Sequence, residues 1–184
     1  MTWSRGASAL GVLRAHLALR AAGAEVGALP RLRGTLRLSV EGRLVIGDRL
    51  LLDSGTYPTQ IHVGPNGVLE FGDDVFINQG ADISATMSVS FGDRVLVGPH
   101  VTVVDDSAHD VAPEVPRRVA PVVVESDVWL GRRCMLMPGV TVGRFSVVGA
   151  GTVVTSDVPP CTVVVGVPAR VVRTFEEPPA GFRR

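Results

Sequence analysis

The sequence predicts an all-β fold: a left-handed parallel β-helix of hexapeptide repeats, with a short helical or irregular N-terminal cap and a loop extruded at about residues 104–122. Three observations carry that expectation. An aliphatic residue returns every sixth position, from Val124 through Leu130, Leu136, Val142 and Val148 to Val154. Four residues after each stands a small or slim one: Val128, Cys134, Val140, Ser146, Thr152 and Val158. The beat then fails for a long stretch between Val103 and Val124, where the polar, charged segment DDSAHDVAPEVPRR is inserted. A period of six fits neither the roughly 3.6-residue helix turn nor the two-residue alternation of a strand. It suits a coil with three flat sides, each taking six residues.

Along the chain, residues 1–35 read as a cap, 36–172 as the β-helix and 173–184 as a C-terminal tail. In the cap, Leu10, Leu13 and Leu17 stand at helical spacing with Arg14 and Arg20 off the stripe. Arg14, His16 and Arg20 interrupt the apolar run that a secretory signal needs. A short helix covering the open first coil is the expectation, ahead of a helix lying on a membrane, because a terminal coil exposes unpaired strand edges. Within the β-helix, Val40, Ile46-Gly-Asp with Leu52, then Phe71-Gly-Asp, Ile77 and Ile83, then Phe91-Gly-Asp and Val97-Gly-Pro, mark earlier hexads. Register slips near Pro58–Gly67 and Ala85–Ser88 predict bulges or corner loops. Gly131, Gly143 and Gly149 follow inward aliphatics, as expected where a corner strains the backbone of a residue with a side chain.

Composition narrows the class. With 184 residues, 46% hydrophobic and 20% charged, the chain is long and apolar enough for one ordered domain. A net charge of zero gives no electrostatic footprint for nucleic acid. All basic residues are Arg, so a bound anion must be held by Arg, His or backbone N–H. Two cysteines make no disulfide framework, and with Cys134 at an inward position the expected compartment is a reducing cytoplasm. No segment reaches membrane-spanning length.

A β-helix coil can extrude a loop without disturbing its neighbours, since each coil contacts only adjacent coils, and such loops carry chemistry. His109 lies in this one, between Asp105, Asp106 and Ser107 on one side and Asp110 on the other. An imidazole, with its ordinary pKa of about 6.5, is the side chain suited to accepting a proton near neutrality. Asp105, Asp106 and Glu114 are all candidates to orient it, and the sequence does not choose among them. His62 and His100 are expected as surface or interface residues.

The ordered motifs FINQG (Phe76–Gly80), VGPHVTVVDDSAHD (Val97–Asp110), DVWLG (Asp127–Gly131), PGVTVG (Pro138–Gly143), VVGAGTVVTSDVPP (Val147–Pro160) and VGVPARVVR (Val165–Arg173) resemble a known family. They are similar to the hexapeptide-repeat acyltransferases, in the branch of maltose and galactoside O-acetyltransferases and related polysaccharide acetyltransferases. The resemblance implies an acyl-CoA donor, acetyl-CoA above all, and no metal. It also implies a carbohydrate or small-molecule acceptor, and a homotrimer with active sites between subunits. On the motif positions it implies His109 as general base and Asn78 as a catalytic and acceptor-site residue, with Thr86 and Asp106 also facing the acceptor. Thr86 stands where the sugar enzymes carry an acid, which counts against maltose and galactosides. For the donor it implies Trp129 beside the pantetheine arm and the Arg132 N–H toward the thioester oxygen. Ala150 and Gly151 would meet pantetheine amides, Thr155 and Ser156 would follow along the groove, and Arg170 and Arg173 would face the nucleotide phosphates. Many relatives carry Lys at the position of Ser156.

The expected reaction is O-acylation, with N-acylation of an amino sugar or nucleotide sugar as the alternative. A γ-carbonic-anhydrase-like metalloenzyme shares the fold, but the spacing of His62, His100 and His109 does not match its ligand pattern. An inactive β-helix scaffold is the non-enzyme alternative.

Overall fold

The computed structural model describes residues 9–110, 112, 114 and 116–176. Helix α1 (Ala9–Ala21) precedes a parallel solenoid whose coils follow one another in chain order. The first coil holds β1 (Glu25–Val26) and β2 (Arg31–Val40), the second β3 (Arg43–Ile46) and β4 (Leu51–Val63). The third holds β5 (Val68–Phe71), β6 (Phe76–Asn78) and β7 (Asp82–Ala85), the fourth β8 (Ser88–Phe91), β9 (Leu96–Val97) and β10 (Thr102–Val104). The fifth holds β11 (Val122–Val124), β12 (Trp129–Leu130) and β13 (Met135–Leu136), the sixth β14 (Thr141–Val142), β15 (Val147–Val148) and β16 (Val153–Val154). Strand β17 (Thr162–Val165) opens one more side, and β18 (Arg170–Thr174) turns back antiparallel to it.

These strands stack into three faces. The first is β1-β3-β5-β8-β11-β14. Both β2 and β4 bend around a corner, so their N-terminal halves lie with β6, β9, β12, β15 and β17 on the second face. Their C-terminal halves lie with β7, β10, β13 and β16 on the third. The hexad is the length of one side, so residues three hexads apart are stacking partners: Val124 on Val142, Leu130 on Val148, Leu136 on Val154. All of these point inward and are buried, as are the six slim residues four positions later. The strands therefore begin at Glu25, ahead of residue 36, and the last of them, β18, runs across residue 173.

The corners differ from expectation in one respect. Gly131 does not occupy the left-handed region; a Cβ there would lie 2.6 Å from the Val148 carbonyl oxygen of the next coil, so close stacking of coils is what demands glycine. Left-handed positions fall on residues with side chains, Arg133 (φ 57) and Phe145 (φ 59) among them, as well as on other glycines such as Gly139 (φ 79) and Gly151 (φ 69). At the corner from first to second face, the Gly-Asp pairs build a staircase. Asp48 accepts the Ala28 N–H (2.7 Å), Asp73 that of Asp48 (2.8 Å) and Asp93 that of Asp73 (2.9 Å), and the Ser126 hydroxyl accepts from Asp93 (3.0 Å). Each step satisfies a backbone donor that a corner would otherwise leave unpaired.

Inside the prism, Thr152 is fully buried and its hydroxyl has no hydrogen-bond partner among the described residues. It stacks above Cys134 and Val101 at the same place in their coils. Valine already fits that slot, so Thr152→Val is expected to stabilise the fold by about 1 kcal/mol through removal of an unsatisfied hydroxyl. For a chain of this size that is a rise of roughly 2–4 °C in a thermal melt.

Candidate active site

The extruded loop leaves the solenoid at the corner between third and first faces, after β10. Its root is Asp105, with no exposed surface. One carboxylate oxygen accepts the Thr86 N–H (2.8 Å), the other the N–H groups of Met87 and Ser88 (2.7 Å each). These donors form the equivalent corner one coil below, so the carboxylate ties the loop's base to the solenoid. Above it the two arms pair as a short antiparallel neck. The Ala120 N–H donates to the Asp105 carbonyl (2.9 Å), Asp106 bridges Val119, and Ser107 N–H donates to the Arg118 carbonyl (3.0 Å). The chain then turns through Ala108 in the left-handed region (φ 65), and His109 follows, exposed. His109 is held by its main chain: its N–H donates to the Ser107 carbonyl (2.8 Å) and its carbonyl accepts from the Ser107 hydroxyl (3.4 Å).

Two of the three carboxylates considered as orienters of His109 are engaged elsewhere. Asp105 is spent on three backbone donors. Asp106 accepts from Arg117 through both oxygens, the Nε bond at 2.6 Å, and from the Ala108 N–H at 2.8 Å. Glu114 is exposed. The Arg117 guanidinium, with hydrogen bonds from Ala108 and the Thr86 hydroxyl, holds Asp106 down at about 2. Thr86 and Asp106, both expected at the acceptor, are thus brought together. Arg117 is the neighbour that sequence reasoning missed; its signal was an arginine closing a loop that opens on two aspartates.

The lowered Asp106 value fixes a pH window. A carboxyl titrating near 4 when unfolded and near 2 when folded contributes stability above about pH 4, and loses it as pH falls from about 4 to about 2. The stability difference between the wild type and Asp106→Asn, measured by urea unfolding, is expected to shrink across that interval and to be steady from pH 5 to 7.

Asn78 lies at the end of β6, on the corner between second and third faces. Its side-chain oxygen accepts the Gln79 N–H (2.8 Å), and the Gln79 side chain in turn accepts the Thr56 N–H (2.9 Å). His100 joins this corner, its ring edge-on to Tyr57 with centroids 4.9 Å apart. Gly80 makes room for it: φ is +70°, and a Cβ would lie 2.7 Å from the His100 ring carbon Cε1. Asn78 and His109 therefore occupy opposite corners of the third face, and a single chain does not bring them together.

The residues expected at the donor gather on the upper coils. Trp129 lies on the second face between Leu96 and Val147, 48% exposed. Arg132, Ala150 and Gly151 stack at the corner between second and third faces, where the Gly151 N–H donates to the Arg132 carbonyl (2.8 Å). Any bond from Gly151 to a pantetheine amide is thereby left to its carbonyl oxygen. Thr155 and Ser156, exposed, stand at the opposite corner, past β16. On β18, Arg170 pairs in register with Val165 and Arg173 with Val163; the Arg173 guanidinium lies 5.0 Å from the Phe175 ring centroid.

Among the described residues no three His, Cys, Asp or Glu side chains gather as a metal site. His62 is on the third face, His100 at a corner and His109 on the loop. Cys134 is buried, and desolvation pushes its thiol up to about 12, which removes it as a nucleophile.

Comparison with known proteins agrees with this fold. Residues 121–156 match the family model "Bacterial transferase hexapeptide (six repeats)". The galactoside O-acetyltransferase of Escherichia coli is 35% identical over 126 residues, covering 66% of this chain and 58% of the relative. The hexapeptide-repeat acetyltransferase of Vibrio cholerae, solved with acetyl-CoA, is 35% identical at a TM-score of 0.58, over 64% of this chain and 66% of that one. A galactoside acetyltransferase solved with coenzyme A is 33% identical at a TM-score of 0.58, over 68% and 64% of the two chains. The chain thus spans just over half the length of the curated relatives it matches. Periodicity, stacking and these likenesses together make the chain a left-handed β-helix of hexapeptide repeats, similar over about two thirds of its length to galactoside O-acetyltransferases.

Proposed function

We propose that this chain is a cytoplasmic acyl-CoA-dependent O-acyltransferase, acting on a hydroxyl of a sugar, polysaccharide precursor or glycosylated metabolite. The observation that carries the reading is an exposed histidine, His109, on a loop whose root is a buried, fully bonded carboxylate, in a chain similar to acetyltransferases seen with acetyl-CoA and CoA. The His109 imidazole takes the proton from the acceptor hydroxyl as its oxygen attacks the thioester carbonyl carbon. The new C–O bond forms, the C–S bond breaks, and CoA departs as the thiol once protonated. The Arg132 N–H meets the oxyanion that develops on the thioester oxygen, an interaction of the kind that contributes strongly to acyl transfer. The separation of Asn78 from His109 across the third face supports a site completed by a neighbouring copy, in a homotrimer. Asp106, occupied by Arg117, and Thr86 beside it support an acceptor other than maltose or galactosides.

The test is release of free thiol from acetyl-CoA over a panel of sugars, amino sugars and nucleotide sugars, with the oligomeric state of the same preparation read by light scattering. Acceptor-dependent release from a trimer is the expected result. A panel without release, or a monomer that is active, overturns the corresponding part of the reading.

A further inference from the structure

Helix α1 lies against β1 and β2 at the start of the solenoid and buries only Ala15 and Leu19. Its other side is apolar as well. At about 100° per residue, Leu13, Leu17 and Leu10 fall within roughly 60° of arc, diametrically opposite the buried pair. They stay 53%, 58% and 55% exposed. Arg14 and Arg20, both exposed, border this stripe on either side. No acidic residue precedes Glu25 in the chain, and Glu25 is itself bonded to Arg43 at 2.9 Å. The helix is thus a narrow leucine band edged with arginine, its far side fixed to a rigid solenoid.

We infer that α1 is an interfacial helix that docks this chain on an anionic lipid bilayer. Leu10, Leu13 and Leu17 enter the boundary between headgroups and acyl chains, while Arg14 and Arg20 meet lipid phosphates. Charge decides the occupant. A second copy packed stripe to stripe sets Arg14 and Arg20 against their own counterparts, with no carboxylate on the helix to offset them. An anionic surface supplies the missing charge and covers the leucines together. With three leucines and two arginines the attachment is peripheral, reversible and sensitive to salt. It concerns a helix on the first coil, whereas the loop of His109 leaves the fourth, and it stands independently of the acyl-transfer reading.

The experiment is vesicle flotation of the purified full chain. One set of vesicles is phosphatidylcholine alone, the other equal parts phosphatidylcholine and phosphatidylglycerol. The chain is expected to float with the mixed vesicles, to be released by added salt, and to stay behind with phosphatidylcholine. Leu13→Glu with Leu17→Glu is expected to weaken binding at least roughly tenfold, with an unchanged circular-dichroism melt because both side chains face outward. Arg14→Ala with Arg20→Ala, which alters no buried residue, is expected to weaken it by about fivefold per arginine. Failure of the wild type to float with the mixed vesicles overturns the inference, as does equal flotation of the leucine variant. So does a leucine variant whose change is in oligomeric mass by light scattering, which assigns the stripe to a second copy.

Discussion

His109→Ala is expected to lower kcat for acceptor-dependent thiol release by about 10²–10⁴-fold, the range in which a positioned general base contributes, while the thermal melt stays where it is. The second half of that expectation follows from the structure. The imidazole is exposed, and the bonds that hold residue 109 run through its N–H and carbonyl to Ser107, which alanine retains. The substitution therefore removes a proton acceptor without loosening the loop. KM for acetyl-CoA is expected to change little, because the donor groove proposed here lies on the later coils around Trp129, Arg132 and Gly151. His62→Ala is the control: that side chain is exposed on the third face, and its loss is expected to leave kcat near wild type. Equal release from His109→Ala and the wild type would remove His109 as the base, whatever the acceptor.

Where the sequence could be read and where it could not has a physical cause. Coils five and six carry no insertion at any corner, so their three inward positions repeat at strict sixes and the stacking of Val124 on Val142 follows by counting. Coil two is harder. Leu52 and Ile61 are nine residues apart, because β4 bows out between the two registers it makes with β2, and the extra residues carry Tyr57 to its contact with His100. In coil one, Arg31, Arg33 and Arg37 point outward on β2 and mask the apolar beat. Strand β18 is antiparallel and belongs to no hexad, so nothing periodic announces it. At the site, the gap in the beat located the loop and His109 on it. It did not show that Asn78 and His109 lie at opposite corners, since a linear repeat carries no information on which corner faces which. Nor did it reveal that Asp105, one of the candidates to orient His109, is instead buried and bonded to the corner below, because an aspartate at the start of a polar insert reads as solvated. A finer count would have found it: on the third face the inward residues come in pairs, Ile61 with Val63 and Ile83 with Ala85, and Asp105 holds the second place after Val103.

That slot makes Asp105→Ala the most damaging of the single substitutions considered, with an expected loss of roughly 2–4 kcal/mol in urea unfolding. Three backbone donors, the N–H groups of Thr86, Met87 and Ser88, lose their acceptor together. A methyl group also leaves part of a filled position empty. By contrast, Asp48→Ala on the staircase loses one bond at an exposed corner and is expected to cost about 1 kcal/mol or less. Asp105→Asn separates shape from bonding. It keeps the volume and one carbonyl acceptor but sets an amide donor against N–H groups, so its cost falls between those of alanine and wild type. The readout specific to the proposed role is hydrogen exchange: in Asp105→Ala the amides of residues 86–88 are expected to lose protection while those of β14–β16 keep theirs. Activity then falls with loop order rather than with loss of the base, and it recovers in part in Asp105→Asn, whereas no such recovery is open to substitutions at His109. Full protection at residues 86–88 in Asp105→Ala would show that the loop is anchored by its neck alone.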